Sequence, residues 1–252
     1  MAVAVALITG ASAGLGAEFA RQLAKRGQRL VLAARRGDRL EALAGELGNA
    51  RAVTIDLSQR GAAAELLRDI EQAGERVDLL VNNAGFGLYG RVADLDAGRQ
   101  REMIDLNCGA LLELARVVLP PMIGRKSGAI LNVASTAAFQ PGPGMAVYFA
   151  TKAFVLSLSE ALHEEARPHG VRVTALCPGP TKTEFGEVAG FVGNRTVDRW
   201  SMDSPTVVRA GLAGLDRGQA VVIPGALNKT GAVSAQLAPR ALVRKIAGAI
   251  KF

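Results

Sequence analysis

The strongest constraint on this chain is an alternation. Seven short apolar runs, at residues 3–9, 29–33, 52–55, 79–82, 129–134, 172–177 and 220–223, are separated by longer stretches with helical spacing at 15–26, 37–47, 59–75, 97–125, 147–168 and 205–217. The runs are apolar at nearly every position, not at every second one, which suits strands covered on both faces. Parallel strands need crossovers, and six helical crossovers between seven strands give an α/β fold: a doubly wound, seven-stranded parallel sheet with helices on both faces. Ser204-Pro205 reads as a helix start, with Ser204 as cap and Pro205 at the first position. Pro120-Pro121, Pro141-Gly142-Pro143 and Pro178-Gly179-Pro180 read as loop punctuation. No repeat, low-complexity tract or linker interrupts residues 1–252, so one domain is expected; its least regular part is 184–203.

Composition excludes several classes. Two cysteines, Cys108 and Cys177, cannot build a disulfide framework and fit a reducing, cytoplasmic setting. The opening "MAVAVALITG" lacks a basic leader and reads as a first strand. No stretch looks like the ~20 apolar residues of a membrane span. His163 and His169 lie six apart without a third ligand, so no metal site is expected. The formal charge is +7, but six basic residues and no acid follow Asp216, leaving the rest close to neutral. That distribution argues against a nucleic-acid-coating surface.

The first turn, "TGASAGLG", places Gly10, Gly14 and Gly16 between a strand and a helix. A phosphate approaching backbone N–H donors at a helix N-terminus needs the room that glycine leaves, although a tight βα turn alone would also use it. The second strand runs into "VLAARRGDRLEAL". A dinucleotide-binding sheet that selects NAD usually ends this strand on an acid that holds the ribose hydroxyls. Here the place falls to Ala34, followed by Arg35 and Arg36. Guanidinium groups suit a 2′-phosphate, so the pattern reads as NADP(H); a solvated basic loop is the alternative. Asp38 belongs to the next helix's first turn. Asp56, closing the third strand, also fits a helix cap.

Further motifs stand in order along the chain: "NNAG" at 82–85, Asn107, Ser135, "YFATK" at 148–152 and "PGPTKT" at 178–183. Together with the glycine turn they resemble the short-chain dehydrogenase/reductase family over essentially the whole length. The resemblance implies a one-domain, Rossmann-type, metal-free oxidoreductase that binds NAD or NADP. It also implies a cofactor site formed by Gly10, Ser12, Gly14, Leu15, Gly16, Arg35, Arg36, Asp56, Leu57, Asn83, Ala84, Gly85, Tyr148, Lys152, Pro178, Gly179, Thr181 and Thr183. In that family's terms Asp56 meets the adenine amino group and Asn83 lies along the adenosine. Thr183 bonds the carboxamide, Thr181 adds a backbone contact, and Asn107 holds a water linking Lys152 to solvent. Asn82 is expected to tie neighbouring strands together. Many NADP-preferring members carry a second basic residue in the glycine loop, whereas this chain has Ala13. Similar proteins are often dimers or tetramers through the helices at 97–125 and 147–168.

Reducing a carbonyl leaves an oxyanion that needs a proton. Tyr148 and Lys152, four apart on a helix, share a face, so the ammonium, helped by the positive nicotinamide of the oxidised cofactor, is expected to lower the phenol's pKa from its usual ~10. Ser135 would donate a hydrogen bond to the substrate oxygen. With Asn107, whose part is implied by the resemblance alone, the expected catalytic set is Asn107, Ser135, Tyr148 and Lys152.

The segment at about 184–204 is expected to cover the site. Phe185, Phe191, Val192, Trp200 and Met202 would line it, with Phe86, Tyr89, Phe139 and Met145 beneath, and Gly186, Gly190 and Gly193 would allow movement. That lining suits an apolar or acyl-bearing carbonyl or alcohol, though the same residues would equally anchor a loop. A 3-oxoacyl reductase and a steroid or xenobiotic ketone reductase stay open, as does a non-catalytic NADP sensor or scaffold. The tail at 240–252, "RALVRKIAGAIKF", reads as an amphipathic helix with Leu242, Val243, Ile246, Ala249 and Ile250 on one face and basic residues around it. It has three readings: docking on its own core or a second subunit, peripheral membrane contact, or docking of an acidic partner.

Overall fold

A computed structural model describes residues 2–190 and 201–249. Seven strands pair in parallel: β1 (Val3–Thr9), β2 (Leu30–Ala34), β3 (Ala50–Thr54), β4 (Glu75–Asn82), β5 (Gly128–Val133), β6 (Val171–Leu176) and β7 (Val221–Val222). Their order, β3-β2-β1-β4-β5-β6-β7, makes the sheet doubly wound, as the alternation requires. The chain leaves β1 in one direction and returns on its other side at β4, which opens a crevice at the carboxyl ends of these two strands.

The continuous apolar runs divide by parity. In β1, Ala6 and Ile8 enter one core with Phe19, Leu23, Leu40 and Leu212. Val5 and Leu7 enter the other with Leu66, Ile70, Leu114 and Val118. The first face is covered by α1 (Gly14–Lys25), α2 (Gly37–Leu47) and α8 (Ser204–Asp216), the second by α3 (Ala62–Gln72), α5 (Leu111–Gly124) and α6 (Ala146–Ala166). One extra residue, Asp78, interrupts the β1–β4 ladder, since Val5 pairs with Val77 but Ala6 with Leu79. Asp78 spends its carboxylate on Arg76 and Arg125.

Several elements depart from the sequence pattern. The single helix expected at 97–125 is α4 (Ala97–Ile104), a π-helical stretch at Asp105–Ala110, and α5. Pro120 and Pro121 fall inside α5 instead of ending it. This run, Ala97–Gly124, has a window of mean hydropathy 1.4 and is, among the described residues, one helix long and apolar enough to cross a membrane. The expectation of none overlooked that Glu113 and Arg116 are the only charges in its last eighteen residues; the α5 part packs Leu114, Ala115, Val118 and Met122 against the sheet. Asp203, not Ser204, caps α8 by accepting from the Thr206 N–H at 2.8 Å, while Ser204 donates to the Lys182 carbonyl. The helix after β3 starts only at Ala62, so Asp56 caps a tight turn through Ser58 and not a helix. Two helices had no strong sequence signal: α7 (Phe185–Ala189) and α9 (Ala226–Leu237). The tail forms α10 (Arg240–Ala249), which buries Val243 and Ala247 and turns Leu242 and Ile246 outward. The expected single apolar face is thus split, and Ile250 lies outside the described residues.

Candidate active site

A cleft of about 700 Å³ lies over the carboxyl ends of β1, β4 and β5. Its floor begins with the glycine turn. Gly10 and Gly14 have φ of +65° and +54°, a region that L side chains rarely enter. A Cβ on Gly16 would stand 2.2 Å from the Gly10 carbonyl oxygen, so here glycine is required by contact and not by φ. Helix α1 starts behind Ala13 without a side-chain cap, which leaves its first amides facing the cleft.

Two residues hold this turn. Thr9 Oγ1 accepts from the N–H groups of Asn83 and Ala84, each at 3.0 Å. Asn83 Nδ2 donates to the carbonyls of Thr9 at 2.9 Å and Gly10 at 3.2 Å. Asn83 lines the cleft with Ala84 and Gly85, but its amide is a brace for the glycine turn. Thr9 was missed from the sequence because it reads there as the last residue of an apolar run. Beneath them Asn82 ties β4 to β5, donating to Asn132 Oδ1 at 3.0 Å, and Asn132 donates to Ser159 on α6 at 2.9 Å.

At one end of the cleft stand Arg35 and Arg36, with side chains 53% and 42% exposed. Arg36 Nε donates to Ser12 Oγ at 3.2 Å and Nη1 to Glu184 at 2.9 Å. Arg35 reaches Glu102 at 3.1 Å. Asp56 and Leu57 complete this end. Burial alone would raise the Asp56 carboxyl, but hydrogen bonds from Ser58 and the nearby Arg35 hold it below the usual carboxylate range.

At the other end Ser135, Tyr148 and Lys152 line the cleft together. Tyr148 and Lys152 are only 9% and 7% exposed. Burial pushes the Tyr148 phenol up to about 12, and the Ser135 side chain, in reach of it, offsets part of the rise. Burial pulls Lys152 down to about 8. In the chain's own surroundings burial therefore outweighs the lowering expected from Lys152. Lys152 Nζ donates to the Val133 carbonyl at 2.8 Å and stands 5.8 Å from the tyrosine ring centre, so desolvation outweighs its charge. Ser135 Oγ accepts from the Ala137 N–H at 3.1 Å, which fixes the hydroxyl at the head of a short turn.

Asn107 does not line the cleft. It lies in the π-helical stretch, buried behind Gly85, and clamps the Phe86 backbone: Oδ1 accepts from N–H at 3.1 Å and Nδ2 donates to the carbonyl at 2.9 Å. Its other amide hydrogen goes to Thr151. A Cβ on Gly85 would stand 2.8 Å from Asn107 Oδ1 and 3.8 Å from Lys152 Nζ, so the two groups flank one glycine.

Pro178, Gly179, Thr181 and Thr183 form the wall above. A Cβ on Gly179 would strike Asn228 of α9 at 2.3 Å, a contact with an unpredicted helix that the sequence pattern did not reveal. A Cβ on Gly14 would stand 3.3 Å from the Thr183 side chain. Thr183 Oγ1 accepts from the Phe185 N–H at 3.2 Å and so starts α7. The apolar side of the cleft gathers Phe86, Met145, Tyr148, Phe149 and Phe185, with the Phe185 ring 5.2 Å from that of Tyr148. Phe139 instead packs with Val155 and Leu156, and Tyr89 and Met202 do not line the cleft. Phe149 and Gln140 do, unforeseen. Phe191, Val192, Gly193 and Trp200 lie outside the described residues. Among the described residues no cluster of His, Cys, Asp or Glu is arranged to hold a metal ion.

The model of the short chain dehydrogenase family matches residues 4–190. The chain is a short-chain dehydrogenase. It is 39% identical over 187 residues to the NADP-dependent 3-hydroxy acid dehydrogenase YdfG of Salmonella typhi, covering 73% of this chain and 75% of that one. Among solved structures it resembles a short-chain dehydrogenase from Sphingobium yanoikuyae in complex with NADPH. The two share 36% identity at a TM-score of 0.83, over 99% of this chain and 97% of that one. It also resembles a bulky-bulky ketone specific alcohol dehydrogenase from Comamonas testosteroni, at 32% identity and a TM-score of 0.78, over 100% and 96% of the two chains. This short-chain dehydrogenase is therefore an oxidoreductase of a family that binds a nicotinamide cofactor. Its own residues fit that group: a tight turn at Gly10, Gly14 and Gly16 that brings backbone to the cleft, an uncapped helix start beside it, and the cations Arg35 and Arg36 at the same end.

Proposed function

We propose that this short-chain dehydrogenase interconverts a carbonyl and an alcohol on an apolar or acyl-bearing substrate and takes NADP(H). The observation that carries the chemistry is the placement of Ser135, Tyr148 and Lys152 on one cleft wall beside an apolar pocket of Phe86, Met145, Phe149 and Phe185. The cofactor, when bound, supplies or accepts the hydride. Tyr148 donates its phenolic proton to the substrate oxygen as negative charge develops there. Its burial keeps it protonated throughout the neutral range, so the proton is in place beforehand. Ser135 gives a second hydrogen bond to the same oxygen, held in position by its turn. Lys152, still charged below about pH 8, brings a cation under the site, where it supports the phenolate left after transfer. Asn107 holds the Phe86 backbone and, with Lys152 on the other side, fixes Gly85 at the cleft, which makes it a positioning residue here.

The family uses NAD or NADP, so the choice rests on this chain's own Arg35 and Arg36, with Ala34 where an acid would stand. The YdfG relative and the NADPH-bound neighbour support the same reading. The exposed Ile104, Leu112, Val117 and Phe154 suit burial between copies of the chain. The deciding experiment is oxidation of NADPH and of NADH against a panel of bulky ketones, 3-oxoacyl thioesters and 3-oxo acids. NADPH consumption with at least one class is expected. Cofactor binding with no turnover on any member would favour a sensor instead.

A further inference from the structure

The second strand lacks an acid, yet a carboxylate stands beside Arg36 all the same. It comes from 148 residues further on: Glu184 Oε2 accepts from Arg36 Nη1 at 2.9 Å while Oε1 accepts from Arg39 Nη1 at 2.6 Å. The pair of guanidinium groups holds the Glu184 carboxyl well below the usual carboxylate range, so it is charged at neutral pH. All three side chains are 40–46% exposed, so their bonds exchange with solvent and ions at little cost. Arg36 is also the arginine that reaches back to Ser12 in the glycine turn.

We propose that Glu184 is a built-in competitor for the cofactor's 2′-phosphate and sets how strongly this enzyme discriminates between NADPH and NADH. The inference rests on the reading that Arg36 receives that phosphate. A phosphate monoester carries close to two negative charges at neutral pH and seeks the same planar donors as a carboxylate. Two anions then share one guanidinium. Either Glu184 turns away to Arg39, which is placed to keep it, or it stays and repels the phosphate. Both outcomes weaken NADPH binding relative to an arginine with no such partner, and neither touches NADH, which brings no 2′-phosphate. Glu184 thus moderates the selectivity that Arg36 creates, and Arg39 provides the alternative seat that keeps the competition reversible.

The test is titration of the full-length wild type, Glu184→Gln and Glu184→Asp with NADPH and with NADH, by cofactor fluorescence, at low and at high salt. Glu184→Gln is expected to tighten NADPH roughly three- to tenfold, the scale of an exposed ion pair plus a repelling charge removed, with NADH changed by less than about twofold. The gain should shrink in high salt, and Glu184→Asp should return toward wild type. If the wild type prefers NADPH and Glu184→Gln leaves that preference unchanged or lowers it, the competition is overturned while the cofactor reading stands. Weaker NADH binding in Glu184→Gln would also overturn it, because Glu184 would then be holding ribose. If wild type and variants all bind both cofactors alike, the cofactor reading itself fails, and the competition with it.

Discussion

The two ends of the cleft solve opposite problems. At one end Tyr148 and Lys152 are buried to 9% and 7% exposure, each is moved from its ordinary pKa by desolvation, and Lys152 holds a backbone carbonyl. At the other, Arg35 and Arg36 keep about half their side chains in water and bind carboxylates that exchange readily. Buried polar groups are fixed and strongly perturbed, which suits a proton that must be in one place. Exposed cations are adjustable and individually weak, which suits recognition of a charged group that must also leave.

That contrast is sharpest in the expected response to substitution. Tyr148→Phe should lower turnover by about 10²–10⁴, the value of a general acid, while cofactor binding by fluorescence titration is preserved. A variant keeping more than a tenth of the wild-type rate would remove the special role of the buried end. The pH dependence tests Lys152. Its folded pKa is lowered to about 8, so its charge is complete below that value and lost above it. Carbonyl reduction, followed as kcat/KM, should therefore be level below about pH 8 and fall as much as ~tenfold per unit above it. A profile flat to pH 10 would show that the ammonium is not needed. At the exposed end, Arg36→Ala should weaken NADPH about tenfold, the loss of one charge-assisted contact, and leave NADH within about twofold. Least of all, Arg26→Ala, which breaks a 2.9 Å surface pair with Asp216, should cost under ~1 kcal/mol in denaturant unfolding. A larger loss would mean that exposed pairs in this protein are stronger than the comparison assumes.

How much of this was legible in the sequence follows the same division. The first strand at Val3–Thr9, the doubly wound order and the glycine turn were all readable, because continuous apolar runs and glycine spacing report local geometry. That Tyr148 and Lys152 share a face followed from their four-residue spacing, and that Ser135 joins them at the cleft was implied by the family resemblance. What was not legible depends on distance or on solvent. The sign of the Tyr148 shift is set by burial, which four-residue spacing does not encode. The bond between Arg36 and Glu184 spans 148 positions. The π-helical stretch at Asn107 keeps a helix-like composition and so hid inside one long helix. Helix α9 begins behind Gly225 at φ +86° without a side-chain cap, and its "ALNKTGAVSAQL" carries only a faint amphipathic stripe. Phe139 and Tyr89 were assigned to the pocket because aromatic character says nothing about which way a loop residue turns.

The bridge from Asn82 to Asn132 to Ser159 has one more consequence. Strands β4 and β5 are greasy on both sides, so sliding one past the other by a residue would cost little in oil-like burial. The amides forbid it: Asn82 lies opposite Asn132 in the ladder, and any slip would strand both in a dry interior. They act as alignment pins. Ser135 comes three residues after one pin and Gly85 three after the other, so the spacing across the reaction centre is fixed by two hydrophilic side chains that never touch what reacts.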